Sequence, residues 1–133
     1  MKAVTNPEPG NAFEAEEKAY LDELDRLRQE AGLGKADRVA DAVDQGIVVQ
    51  ANERVAAGSP HAEEMQNLLG HFSKKTGIPF TAHTFVLPQL DGWRPEYDAD
   101  LLSRPRMGVV VNIMHIDQQY VVTVLFGDLD FTP

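Results

Sequence analysis

The side chains of this 133-residue chain best suited to chemistry are four histidines and a scatter of aspartates. His61 and His71 stand ten residues apart, far from the i,i+4 spacing of a helical metal pair. His83 and His115 both fall in segments with strand character and could face each other across a ladder. With Asp98, Asp100, Asp128 or Asp130 nearby they would form an oxygen- and nitrogen-rich site for a divalent metal. Strand histidines are more often packed and hydrogen-bonded than ligating, so the expectation is no metal and no cofactor. Asp98-Ala99-Asp100 and Asp128-Leu129-Asp130 share a D-x-D pattern, but neither continues into the glycine and terminal glutamate of a calcium loop.

Nucleophile chemistry finds no more support. The chain has no cysteine, which removes disulfides, thiolate metal sites and cysteine nucleophiles together. No G-x-S-x-G elbow surrounds Ser59, Ser73 or Ser103. Gly32-Leu33-Gly34-Lys35 lacks the length of a phosphate-binding loop and reads as a turn between helices. The pattern leaves enzyme activity uncertain and favours surface contact over catalysis.

Two groups fit contact. Trp93, Arg94 and Tyr97 lie within five residues of a proline-punctuated segment ringed by acids. Such side chains dominate binding hot spots because each buries much area and keeps a polar handle. Their other reading is as anchors that fold the segment onto the sheet. Asp37, Asp41 and Asp44 follow at spacings of four and three, on one side of an expected helix. No basic residue is placed to pair Asp41 or Asp44, so this stripe suits a basic patch on a partner or a plain solvated face.

Composition narrows the partner. Twelve basic residues stand against 21 acidic ones, a net charge of −9. That charge repels phosphate backbones and anionic membranes, so neither nucleic acid nor a membrane is expected. No apolar run approaches the roughly 20 residues that cross a bilayer, and the first residues carry no apolar core of a secretory signal. A cytoplasmic protein is the expectation.

The elements that must position these residues read as a single α+β domain over 1–133. Residues 1–10 form an irregular lead-in. Asn11 and Glu14 suggest a capping box, and Phe13, Tyr20, Leu24, Leu27 and Ala31 make the stripe of a first helix that stops at Gly32 and Gly34. Val39, Val43, Ile47, Ala51 and Val55 trace a second helix from about Lys35 or Ala36 to Ala57. It runs through Gly46, although a strand after that glycine also fits. Ser59-Pro60 starts a third helix with Ser59 as its cap, and Gly77 before Pro79 ends it.

After Pro79 the period changes to that of strands: 80–87, then 107–116 and 120–126 as a hairpin around Asp117-Gln118-Gln119. Residues 88–106 form a long loop. The expected architecture is three N-terminal helices on a small, mainly antiparallel, three-stranded sheet.

That sheet has no polar face. Met107, Val109, Val111 and Ile113 alternate with Gly108, Val110, Asn112 and Met114, and the next strand repeats the pattern. If the helices cover one face, the 88–106 loop, the chain termini or another molecule must cover the second. The sequence therefore points to a small acidic protein-binding or assembly protein: a subunit, inhibitor, immunity-type or viral accessory protein. Its partner would be another protein, or itself in a homo-oligomer, met through the second sheet face or the Trp93 loop. The alternative is a small enzyme or ligand-binding domain, its pocket lying between helices and sheet under the loop and lined by His83, His115, Asp98 and Asp100.

Overall fold

A computed structural model describes residues 13–90 and 102–132. In chain order the elements are α1 (Glu14–Glu30), β1 (Asp37–Arg38), α2 (Ala42–Ala56), α3 (His61–Thr76), β2 (Thr81–Leu87), β3 (Met107–Ile116) and β4 (Gln119–Asp128). Among the described residues the fold is α+β with three helices. Its sheet has four strands in the order β1-β3-β4-β2, with β1 parallel to β3 and the other pairs antiparallel. The three-stranded, mainly antiparallel expectation is thus corrected to a four-stranded mixed sheet.

The added strand comes from the expected start of the second helix. Apolar residues four apart, such as Val39 and Val43, suit a helix only if the chain is already helical, and here the local polar bonds say otherwise. The Asp25 carboxylate accepts the Ala36 N–H at 2.9 Å and pairs with Arg38 at 2.9 Å, holding residues 36–38 extended beside β3. The helix waits for Asp41, whose carboxylate accepts the Asp44 N–H at 2.9 Å while Asp44 accepts the Asp41 N–H at 2.9 Å. This reciprocal cap satisfies two of the free donors at the helix start. Gly46 lies inside α2 without breaking it.

The other helices follow the sequence closely. The described part of α1 starts after Phe13; Asn11 lies outside the described residues. In α3 the cap position falls on Pro60 rather than Ser59, and no side chain caps it. Gly77 ends α3 in the left-handed conformation, its N–H bonded to Ser73 O at 2.9 Å. The hairpin turn is one residue shorter than expected. Asp117 and Gln118 carry it alone, both with positive φ, while Gln119 begins β4. A two-residue turn of this hand matches the strand twist.

The helices divide between the two sheet faces, which corrects the expectation that all three share one. On one face Tyr20 and Leu24 of α1 pack on Val109, Val111, Ile113, Val122, Val124 and Phe126. On the other, Val48 and Ala51 of α2 and Met65, Leu68 and Phe72 of α3 pack on Val110 and Leu125. β1 makes this possible, because it carries the chain past the sheet edge between α1 and α2. Both faces are therefore packed by helices of the chain itself, and the β2 border of the α2/α3 face, at Thr84 and Val86, stays exposed. The cross-strand pair Gly108 and Gly127 leaves a slot for Phe80, since a Cβ on Gly127 would stand 2.6 Å from the Phe80 ring.

Candidate functional site

The aspartates singled out in the sequence do not form an unpaired stripe. Asp37 lies in β1, exposed and 3.8 Å from Arg106. Asp41 is the α2 cap. Asp44 is buried one turn in, bonded to His71 Nε2 at 2.7 Å and to Lys75 Nζ. Burial alone would raise the Asp44 carboxyl, but bonds from Lys75, His71 and the Asp41 N–H hold it far below the ordinary carboxylate range. Lys75 also reaches Val39 O at 2.8 Å and Asp41 at 3.3 Å, which locks α3 to the start of α2. The cations for this stripe thus come from α3, and Asp44 serves the fold.

Trp93, Arg94, Tyr97, Asp98 and Asp100 lie outside the described residues. Leu90 and Leu102, on either side of them, pack against the core beneath α1.

His83 and His115 do not face each other. β4 lies between their strands, and the register separates them further: His83 is level with Val124, and His115 with Tyr120. His83 stands edge-on to Phe126 with ring centroids 4.8 Å apart, and His115 stacks on Tyr120 at 4.7 Å. Among the described residues, no three metal-ligating side chains gather.

The space between sheet and helices is occupied on both sides. A polar row crosses the sheet under α2 and α3: Thr84, Thr123 and Asn112 are register partners. Asn52 and Asn112 exchange two amide bonds at 2.9 Å, and both are fully enclosed. Thr123 Oγ1 lies 3.3 Å from Thr84 Oγ1 and 3.5 Å from His61 Nε2. Burial lowers the His61 pKa, favouring the neutral ring that this interior can hold. The row is a polar seam whose members bond to one another, buried at Asn52, Asn112 and Thr123 and exposed at Thr84. Among the described residues, shallow hollows lie elsewhere, one of about 280 Å³ beside Thr81, Arg104 and Phe126 and another of about 360 Å³ beside Phe13, Pro88 and Tyr120. Neither brings a histidine to a carboxylate among the described residues lining it.

What the fold leaves open is an edge. The two-residue turn makes Ile116 and Gln119 the hydrogen-bonded closing pair, and such pairs recur at every second residue. Backbone groups of odd-numbered residues in β3 therefore point away from β4. The Glu17 carboxyl oxygen that accepts the Ile113 N–H at 3.1 Å confirms this direction. Carried across β4, the same alternation turns the backbone groups of Ala82, Thr84 and Val86 in β2 outward, where no further strand lies among the described residues.

The two edges of the sheet are treated differently. β1 and Glu17 cover part of the β3 edge, whereas β2 presents seven residues without a charge, bracketed by Pro79 and Pro88. Natural edge strands are commonly guarded by charge, proline or a bulge. Val86 on this edge is 56% exposed.

The only sequence signal for this site is the lack of charge between Thr81 and Leu87. That the segment lies at an edge is a property of strand order, which no local pattern encodes. Comparison with protein-family models, with curated proteins and with solved structures finds no match to this chain.

Proposed function

We propose that this is a protein-binding or assembly protein that works by surface contact, with the outer edge of β2 as its principal contact. The observation that carries the reading is the uncharged seven-residue edge with Val86 exposed on it. An extended segment of another chain can add there as a further strand: backbone bonds supply affinity and alternate side chains supply selectivity. The exposed carboxylates of Asp37 and Asp41, with Trp93, Arg94 and Tyr97, are secondary contacts in this reading.

The net charge of −9 argues against nucleic acid and anionic lipid as partners. No helix among the described residues is long and apolar enough to cross a membrane. The absence of cysteine suits a cytoplasmic setting.

Val86→Lys tests the reading. The Val86 N–H points outward and its side chain is largely in solvent, so the fold keeps its ladder while the edge gains a charge. The expected outcome is that the tagged wild-type chain associates, with itself or with another protein of its native extract. The lysine variant, with an unchanged circular dichroism spectrum, loses that association at least tenfold. Undiminished association of the variant overturns the β2 assignment.

A further inference from the structure

We propose that the occupant of the β2 edge is β2 of a second copy of this chain. The two strands pair antiparallel about a two-fold axis at Thr84, so that two four-stranded sheets become one continuous sheet. The proposal rests on the contact reading above and names its partner.

The backbone is self-complementary in this register. Thr84 meets Thr84, and Ala82 meets Val86 of the second copy. These are the three residues whose N–H and C=O groups turn outward, so each facing pair exchanges both bonds. A two-fold contact uses the same patch on both copies and closes on itself, giving a dimer rather than a fibre. Pro79 and Pro88 bracket the strand and limit sliding of the register.

Charge selects the place. Two copies carrying −9 each repel over most of their surfaces, and β2 has no charge to add to that repulsion. The flank of α3 above this edge is uncharged as well. Glu64, His71 and Lys75 bond to Arg54, Asp44 and Asp41, so that side of α3 faces α2. The opposite side, turned past β2, carries Ala62, Gln66, Leu69 and Ser73.

The exposed Val86 finds its cover in this arrangement. Its side chain lies on the α2/α3 face, in the row beyond the His61 end of α3. In the two-fold register it falls beside Ala82 of the second copy, and Ala82 and the half-buried Leu69 belong to the same apolar cluster.

Sedimentation velocity on the full chain from about 1 to 500 μM tests the proposal. The expected result is a monomer–dimer equilibrium, weakened at least tenfold in Val86→Lys and in Val86→Pro, with far-UV circular dichroism unchanged. The proline variant removes an outward N–H without adding charge, so loss in both variants excludes a purely electrostatic effect. A monomer across the whole range, or a dimer indifferent to both substitutions, overturns the proposal. If the wild type stays monomeric while Val86→Lys still abolishes capture of a different protein, the second-copy assignment fails and the contact reading stands.

Discussion

Replacing Arg28 with methionine lowers the free energy of unfolding by about 4 kcal/mol, read as a shift of the urea midpoint at constant slope. Among the described residues, Arg28 is the largest side chain with no solvent exposure. Its Nε donates to Gly34 O at 2.7 Å, and Nη2 donates to Arg104 O at 2.8 Å and Pro105 O at 2.9 Å. Two irregular segments, one after α1 and one before β3, are thereby tied to a single guanidinium.

Methionine fills much of the volume but donates nothing, so three carbonyls lose a charge-assisted bond in a place water does not reach. Burial lowers the Arg28 pKa, the sign of a charge held where solvation is poor. The control is Arg26→Met on the exposed side of α1, where solvent screens the pairs with Glu23 and Glu30 and the loss is small. A loss at Arg28 no larger than at Arg26 contradicts the role given to this residue.

The second large effect is a dependence of stability on pH that shrinks in Glu17→Gln. Burial pushes the Glu17 carboxyl up to about 8 from an ordinary 4.5, against the pull of the Ile113 N–H and with help from the nearby charges of Glu14 and Glu16. The folded chain therefore binds this proton more tightly than the unfolded chain does. The associated stability is complete below about pH 4.5 and is lost as pH rises through that window to about 8. The loss runs at about 1.4 kcal/mol per pH unit, several kcal/mol in all.

Asp44 works in the opposite sense, its contribution being lost only as pH falls below the ordinary carboxylate range, so the two effects separate. Glutamine at position 17 still offers an oxygen to the Ile113 N–H but does not titrate. Urea titrations at pH 5 and pH 8 give a smaller difference for the variant, which is the more stable chain at pH 8. Equal pH dependence in the two proteins contradicts the burial of a protonated Glu17.

These two residues show where sequence reading stops. α1 and α3 were legible because their apolar spacing, glycine stops and charged ends all point the same way. The 107–116 strand and its hairpin were legible because β-branched residues run unbroken to a short polar turn. β1 was not, because an extended segment of two residues has no period of its own and is fixed by Asp25, a residue of α1. The division of helices between faces was hidden for the same reason, since β1 is the crossing point.

The pairing of Asp44 with His71 and Lys75 spans 27 and 31 residues of chain, and only packing of α3 on α2 reveals it. Asn112 and Thr123 were visible as lone polar residues in apolar strands. That they are register partners roofed by Asn52 requires the hairpin register and the position of α2. The candidate site was least legible of all: its residues carry no chemistry, and its meaning comes from the place of β2 at the end of the strand order.

Amide hydrogen exchange, residue by residue, on the isotopically labelled chain tests the central claim most directly. The chain is measured dilute, concentrated, and dilute in unlabelled extract of its own source. If β2 is a contact edge, the amides of Ala82, Thr84 and Val86 exchange fast in the dilute chain, whereas those of His83 and Phe85, bonded into β4, exchange slowly. The outward three then slow at least tenfold when the chain is concentrated or placed in the extract. Fast exchange of Ala82, Thr84 and Val86 in all three conditions, with new protection confined to other parts of the molecule, contradicts the account.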